Sequence, residues 1–280
     1  MNLRYMLSRI AHGQIMGRVI IKLGGGLITD KTRYRTVLRD RIDSVSQVIS
    51  KIIDMGHSVI VIHGAGSFGH MEAKKWNISN GLDSSISEQQ FSAIDTIRRD
   101  MDELNSIVIE SLNDAGVRCE AIPPRNWVIG VGTSFIGDVS IFERVPESAV
   151  PVSFGDVVEV KGDKKFGILS GDHLMVRLAN ELPDVILCAF LLGDSPGLLT
   201  GPPDADDSIL IERWSKSQGF IGEHNATIDV TGGISLKTEC ATQITGHSEH
   251  VWFIDGRVPN RLLEILTDGD TVGTRIVHDD

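Results

Sequence analysis

Apolar residues along the chain alternate between strand-like and helix-like patterns. Residues 18–23 and 58–62 are short β-branched runs, and a glycine turn follows each one, at Gly24 and at Gly64, which is typical of a strand followed by a tight turn. Between them, from about residue 37 to residue 55, apolar residues recur at the spacing of one helix face. Strand, helix and strand in this order are the unit of a parallel sheet with right-handed crossovers.

The same alternation continues to the end of the chain. A single long helix is predicted over about 88–115, with Gly116 as its stop signal. Further strands are predicted at 119–122, 150–154, 185–192 and 250–254, a hairpin around Gly162-Asp163, and helices over 172–182 and after a glycine turn at Gly232-Gly233. A soft boundary is expected near residue 150, after the loop-rich stretch 124–149. The pattern predicts an α/β protein.

Composition and charge narrow the possible partners. A chain of 280 residues and 30.6 kDa is long enough for one large α/β domain or two fused lobes. Its 27 Lys and Arg against 38 Asp and Glu give a formal charge of −11, which disfavours nucleic acids and anionic membrane surfaces as partners. No apolar run reaches the ~20 residues that a bilayer requires. Residues 1–16 lack a long apolar core, and we interpret them as an N-terminal extension rather than a signal peptide.

The three cysteines of the chain indicate the redox environment in which the protein works. Cys119, Cys188 and Cys240 are far apart, odd in number and without CxxC spacing, so neither a disulfide framework nor a zinc site is expected. A reducing cytoplasm fits this pattern best.

The stretch VIVIHGAGSFGH, residues 59–70, raises the question of a dinucleotide site. A strand running into Gly64-x-Gly66-x-x-Gly69 matches the dinucleotide fingerprint. That fingerprint also needs an acidic residue at the end of the next strand, about 20 residues on, and the chain has the polar, loop-like SNGLDSSISEQQ there. A nicotinamide or flavin enzyme is therefore disfavoured.

A second glycine turn suggests a phosphate instead. The first predicted strand ends in Lys22-Leu23-Gly24-Gly25-Gly26, so 24–26 (the first glycine turn) and 64–69 (the second glycine turn) are expected side by side on one sheet edge. Backbone N–H groups of both turns could then face a shared anion. The alternative is that the glycines only close tight strand-to-helix turns.

These residues resemble the amino-acid-kinase superfamily, and within it the isopentenyl phosphate kinases. The matching pieces follow one another along nearly the whole chain: KLGGGLITDK (22–31), HGAGSFGH (63–70), RDMDELN (99–105), PVSFGDV (151–157), GILSGDHL (167–174), DVTGGISLK (229–237) and GTRI (273–276). The second histidine of HGAGSFGH is the most specific feature, because it resembles the members whose acceptor is already a phosphate or phosphonate.

The resemblance implies a fold and an activity. It implies a three-layer αβα sandwich around an open, mainly parallel central sheet, with an acceptor-binding N-terminal lobe (17–150), an ATP-binding C-terminal lobe (151–280) and one continuous sheet. It also implies a homodimer that uses ATP and Mg²⁺ to phosphorylate a small phosphomonoester, isopentenyl phosphate, to the diphosphate in isoprenoid biosynthesis.

Four residues are expected to carry the catalysis by this resemblance: Lys22, His70, Asp172 and Lys237. Phosphoryl transfer needs two anions held in line and charge neutralised on the moving group. Lys22 can reach that group, and Lys237 would meet the β- and γ-phosphates. Asp172 would orient the lysines or support magnesium, or serve as a helix N-cap. His70 can hydrogen-bond the acceptor's own phosphate.

The remaining expected contacts follow from the same motifs. The residues expected to bind the acceptor are Gly64, Ala65, Gly66, Gly69, Lys31, Gly155 and Asp156. The residues expected to bind ATP, besides Lys22 and Lys237, are Gly24, Gly25, Asp194, Gly197, Gly232 and Gly233. No residue is assigned to hold a metal ion directly.

The chain also departs from the resembling kinases. They usually carry serine where Gly26 stands, and a TDVDGVY-like segment where this chain has GDSPGLL at 193–199. Two alternatives therefore stay open: a sister kinase acting on another phosphate or phosphonate, such as a mevalonate phosphate or a fosfomycin-like compound, and a catalytically silent nucleotide-binding protein. Phe91, Ile94 and Ile97 are candidates to line the acceptor's tail pocket, although their spacing fits core residues equally well.

Overall fold

The structure of the protein is a computed structural model that describes residues 16–218 and 233–279. The strands are β1 (Arg18–Leu23), β2 (Ser58–His63), β3 (Cys119–Ala121), β4 (Val150–Phe154), β5 (Asp156–Val160), β6 (Lys165–Leu169), β7 (Val185–Leu192), β8 (Arg213–Trp214), β9 (His250–Asp255) and β10 (Thr274–Ile276). The helices are α1 (Gly25–Ile28), α2 (Arg39–Asp54), α3 (His70–Lys75), α4 (Ser87–Asp114), α5 (Gly171–Glu181), α6 (Gly233–Ile244) and α7 (Arg261–Asp268). None of the helices described is both long enough and apolar enough to cross a bilayer.

Eight strands form one sheet in the order β3-β4-β2-β1-β7-β9-β10-β8. Every neighbouring pair is parallel except β9 and β10. Because the carboxyl ends of parallel strands lie at the same edge, the turns that follow β1, β2, β4 and β7 meet there. β5 and β6 form a separate antiparallel hairpin.

Two apolar cores cover the two faces of the sheet, because side chains alternate between faces along each strand. Val19 and Ile21 of β1 point into one core together with the buried faces of α2, α4 and α7, whereas Ile20 points into the other with α5 and α6. The result is the expected three-layer αβα sandwich. β1, β2 and β7 are buried along their whole length, which explains the apolar runs at their centres.

Most predicted elements lie within two residues of their expected positions. The predicted helix 88–115 is α4, and Gly116 follows it with φ = +81°, as expected of a residue that ends a helix. The hairpin around Gly162-Asp163 is β5–β6. β4 lies between β2 and β3, so residues just beyond the expected boundary at 150 pair with strands of the N-terminal half. The division into two lobes stays a prediction.

Candidate active site

The two glycine turns interlock at the carboxyl edge of the sheet. β1 and β2 pair in register up to Leu23 and His63, so the first and second glycine turns begin side by side. A Cβ on Gly25 would lie 2.5 Å from the Gly66 nitrogen, and one on Gly64 would lie 2.9 Å from the Gly25 nitrogen. Neither position therefore accepts a side chain without movement of the backbone. The prediction that the turns are neighbours is confirmed.

Thr29 fastens the two turns together. Its hydroxyl donates to the Gly25 carbonyl oxygen at 2.7 Å and accepts from the Ser67 N–H at 3.0 Å. Gly66 has φ = +50°, and a Cβ there would lie 2.0 Å from the Thr29 hydroxyl. Glycine is required at Gly66 both by its conformation and by this close approach.

Hydrogen bonds of the sheet use some of the predicted N–H donors. The Gly24 N–H donates to Leu191 at 2.9 Å, and the Gly64 N–H donates to Leu23 at 3.0 Å. Both groups are thus already paired within the sheet, which narrows the predicted set. Of the predicted donors, the N–H groups of Gly25, Ala65 and Gly66 take no part in these two hydrogen bonds and stay candidates for binding an anion.

A buried aspartate lies between two lysines, one from a strand and one from a helix. Lys22, near the end of β1, lies 2.7 Å from Asp172 in α5, and Lys237 in α6 lies 3.7 Å from the other carboxylate oxygen. Asp172 is 1% exposed and Lys22 is 5% exposed. The structure therefore brings together three of the four residues predicted to be catalytic.

The charge state of Asp172 follows from its two neighbours. Burial alone would raise the pKa of this carboxyl, but the ammonium groups of Lys22 and Lys237 outweigh burial and hold the pKa below its ordinary value. Ser170, not Asp172, is the N-cap of α5, because its hydroxyl accepts from the Asp172 N–H at 3.2 Å. The N-cap role suggested for Asp172 is wrong, and its carboxylate is left to organise the lysines.

His70 begins helix α3 directly after the second glycine turn, and its side chain is half-buried. Gly69 before it packs closely, since a Cβ there would lie 2.9 Å from the Ala65 side chain and 3.5 Å from the Met101 sulfur of α4. This packing seats the start of α3 against the long helix and sets His70 beside the turn.

His63 supports the second glycine turn and was given no role in the sequence analysis. Its ring is fully buried, stacks on Phe154 of β4 with centroids 5.1 Å apart, and lies 3.2 Å from both the Gly64 carbonyl and the Asn105 amide oxygen. Burial lowers the pKa of His63 to about 4, so the ring is neutral at ordinary pH. It joins β2, β4 and α4 behind the turn.

Gly155 and Asp156 follow the end of β4. The Gly155 N–H donates to the His63 carbonyl oxygen at 3.2 Å, which ties this junction to β2. The buried Asp156 carboxylate pairs with the Arg125 guanidinium at 3.0 Å. Burial raises the pKa of Asp156, and Arg125 opposes the rise only in part. Asp156 thus has a partner within the protein, and Arg125 is a second residue that the sequence analysis missed.

The segment 193–199, which follows β7, is held by Thr274 at the start of β10. Thr274 of β10 accepts from the Leu198 N–H at 2.8 Å, and a Cβ on Gly197 would lie 2.5 Å from the same hydroxyl. Asp194 is exposed and interacts with Arg257, which itself pairs with Asp255 at 2.7 Å. Gly197 therefore permits close packing, while Asp194 stays accessible.

Two further predicted residues lie at the borders of the site. Gly233 is the first residue of α6 and has φ = +57°, and Gly232 lies outside the described residues. Lys31 is exposed, and its side chain lies over Gly26. Within residues 16–218 and 233–279, no group of three or more His, Cys, Asp or Glu side chains is arranged to hold a metal ion.

Comparisons with known proteins agree with this geometry. The chain matches the amino acid kinase family over residues 17–255. It is 32% identical over 250 residues to the isopentenyl phosphate kinase of Thermoplasma acidophilum, covering 88% of this chain and 95% of that protein. It is 30% identical over 271 residues to the isopentenyl phosphate kinase of Methanocaldococcus jannaschii, covering 92% and 97%. A crystal structure of an isopentenyl phosphate kinase substrate complex superposes with a TM-score of 0.76 at 28% identity, covering 93% of this chain and 100% of that one.

Proposed function

The chain belongs to the amino acid kinase family, and from this we propose that it is an ATP-dependent kinase that converts isopentenyl phosphate to isopentenyl diphosphate. The observation that carries the proposal is the buried group Lys22–Asp172–Lys237 beside two interlocked glycine turns. Two ammonium groups around one carboxylate leave a net positive charge where a transferring phosphoryl group needs neutralisation. The similarity to isopentenyl phosphate kinases over most of both chains supports the acceptor.

In the proposed reaction, the acceptor's phosphate oxygen attacks the γ-phosphorus of ATP. A new P–O bond forms, the bond from the γ-phosphorus to the bridging oxygen breaks, and ADP leaves with that electron pair. Lys22 and Lys237 stabilise the charge spread over the transferring group, while Asp172 keeps both lysines in place. Because Asp172 already orients both ammonium groups, little reorganisation of these charges is needed during the transfer.

The acceptor's own phosphate would bind at the second glycine turn. The Ala65 and Gly66 N–H groups and the His70 side chain are the proposed donors, together with the Gly25 N–H of the first glycine turn, which packs closely against Gly64 and Gly66. A site that hydrogen-bonds a phosphate rejects a free alcohol, because its donors would then lose their partners. This accounts for a phosphomonoester as the acceptor.

ATP and magnesium enter the proposal through the family. The nucleotide would lie along the carboxyl ends of β7 and β9, near Asp194 and α6. Mg²⁺ commonly binds through one or two carboxylates together with substrate phosphates. Since Asp172 already faces two ammonium groups, the ion would arrive bound to the nucleotide, and its chemistry would be to neutralise the β- and γ-phosphates.

Cellular setting and assembly complete the proposal. Cys119, Cys188 and Cys240 are all free thiols, which supports a reducing cytoplasm. A homodimer through the N-terminal lobe is proposed from the family. Light scattering coupled to size-exclusion chromatography would measure a mass of two chains if that is correct and of one chain if it is not.

A coupled ADP-release assay with Mg-ATP tests the proposed activity. The acceptors compared are isopentenyl phosphate, dimethylallyl phosphate, mevalonate phosphates and fosfomycin, with Lys22→Ala as the blank. We expect the highest kcat/KM on isopentenyl phosphate. Turnover of only another acceptor would instead support the sister-kinase alternative, and silence on all of them would refute the kinase activity.

A further inference from the structure

Three hydrogen bonds join the segment 29–36 to Ser67 in the second glycine turn. Thr29 accepts from the Ser67 N–H at 3.0 Å, the Thr36 N–H donates to the Ser67 hydroxyl at 3.2 Å, and the Arg35 N–H donates to the Ser67 carbonyl at 3.4 Å. Lys31 lies on this segment, so its backbone is tied to the turn proposed to hold the acceptor phosphate.

The ammonium group of Lys31 differs from those of Lys22 and Lys237, which share Asp172. Among the residues that the structure describes, no carboxylate lies within ion-pair distance of the Lys31 Nζ atom. An exposed cation beside two turns with unused N–H donors is suited to bind an anion brought by a ligand.

Gly26 lies directly beneath the Lys31 side chain. A Cβ built on Gly26 would lie 2.8 Å from the Lys31 Cε, 3.3 Å from its Nζ and 3.4 Å from its Cδ. The absence of a side chain at residue 26 therefore leaves the space that the lysine occupies. A methyl group there would have to push the Lys31 stem outward.

The backbone at Gly26 is itself closely packed against the residue that follows β7. Gly193, at the end of β7, approaches so closely that a Cβ on it would lie 2.3 Å from the Gly26 carbonyl oxygen and 2.5 Å from the Leu27 nitrogen. Leu27 is fully buried. Between a fixed strand end and a flexible lysine, the lysine is the group that moves.

We propose that Gly26 is a positioning residue: by carrying no side chain it seats the Lys31 stem, and thereby holds the Lys31 ammonium at the acceptor phosphate. The inference rests on the proposed function for the identity of that phosphate. It assigns the glycine at residue 26, where the resembling kinases usually carry serine, a part in acceptor binding without any contact to the substrate.

A double-mutant cycle tests the inference, using full-length wild type, Gly26→Ala, Lys31→Ala and the double variant. We expect Gly26→Ala to raise the acceptor KM about threefold to tenfold with kcat and the ATP KM nearly unchanged, and Lys31→Ala to raise it about tenfold or more. In the Lys31→Ala background, Gly26→Ala should have no further effect, because the lysine it displaces is gone.

Two measurements separate this effect from general damage. Gly246→Ala is the matched control, since a Cβ on the exposed Gly246 meets nothing within 4 Å, and it should leave every kinetic constant unchanged. Gly26→Ala should also keep the thermal midpoint of the wild type, because only a flexible side chain moves. A wild-type acceptor KM in Gly26→Ala, or an effect of equal size with and without Lys31, would overturn the inference.

Calorimetric binding of isopentenyl phosphate without ATP separates the inference from the proposed function. If the wild type binds this phosphomonoester but does not transfer phosphate to it, the proposed function fails. The double-mutant cycle of Gly26→Ala and Lys31→Ala then tests the inference through the Kd for isopentenyl phosphate in place of the KM. If the wild type does not bind it at all, the role of Lys31 fails as well.

Discussion

Asp172→Asn removes the carboxylate that pairs with both lysines of the proposed catalytic group. The change keeps the size of the side chain but leaves Lys22, at 2.7 Å, and Lys237, at 3.7 Å, without this counter-charge. Lys22 and Asp172 are almost completely buried, so water cannot replace the lost charge. We expect lower stability as well as lower activity.

The size of the effect follows from burial. Removing one partner of a buried ion pair typically destabilises a protein by about 3 to 5 kcal/mol, because an uncompensated charge stays behind. For a chain of this size, each kcal/mol lowers the thermal midpoint by roughly 2 to 4 °C. Asp172→Asn should therefore unfold roughly 10 °C below the wild type near neutral pH.

The pH dependence has a definite sign. The Asp172 pKa is lowered in the folded protein, so its stabilising contribution is present above the ordinary aspartate pKa and is lost as the pH falls through the lower, folded value. The difference between variant and wild type should stay constant from about pH 8 to pH 5 and narrow only below about pH 4.

Thermal unfolding followed by circular dichroism across this pH range is the assay. Asp163→Asn is the matched control, because Asp163 is exposed in the β5–β6 turn, and its midpoint should equal that of the wild type. A midpoint for Asp172→Asn within about 2 °C of the wild type at pH 7 would refute the reasoning, as would a difference that narrows already between pH 8 and pH 5.

Three other substitutions give independent tests. Gly66→Ala should lower both the thermal midpoint and the acceptor affinity, because φ = +50° and the Thr29 hydroxyl exclude a side chain; unchanged values for both would contradict this. In urea unfolding, the wild type should lose at most about 3 kcal/mol of unfolding free energy as the pH falls from 6.5 towards 4, because the buried His63 ring resists protonation. His63→Gln should lose less stability over the same pH range. Parallel stability curves for the two proteins would argue against this role of His63. Arg125→Met should destabilise the protein by about 3 kcal/mol, and by more at pH 8 than at pH 4.5, because the raised pKa of Asp156 makes its ionisation unfavourable. Adding Asp156→Asn should restore most of the lost stability. If stability is not restored, the Arg125–Asp156 pair is not the cause of the loss.

Local patterns predicted most of the longer elements, whereas the helices α1, α3 and α7 and the strands β8 and β10 were not predicted. Val45, Val48, Ile49 and Ile52 recur at helical spacing, and all four are buried on α2. β7 is apolar throughout and β1 and β2 are apolar at their centres, because helices cover both faces of the sheet. Sheet order could not be read this way, since the insertion of β4 between β2 and β3 depends on contacts between distant parts of the chain.

The site shows the same division between local and long-range information. Lys22, Asp172 and Lys237 were found through motifs, and their meeting depends on the fold that brings β1, α5 and α6 together. His63 and Arg125 were missed because their roles lie in partners far along the chain, Asn105 and Asp156. The N–H groups of Gly24 and Gly64 were expected to face a ligand, but both donate to backbone carbonyl groups of neighbouring strands.

Direct observation of the product tests the central claim most sharply. The reaction of purified protein, Mg-ATP and isopentenyl phosphate would be followed by ³¹P nuclear magnetic resonance, with Lys22→Ala treated in parallel. The account predicts that the acceptor's single phosphomonoester resonance is replaced by the two coupled resonances of a diphosphate monoester while ATP becomes ADP, and that the variant leaves the spectrum unchanged. An unaltered acceptor resonance with the wild type, or ATP converted only to ADP and orthophosphate, would contradict it.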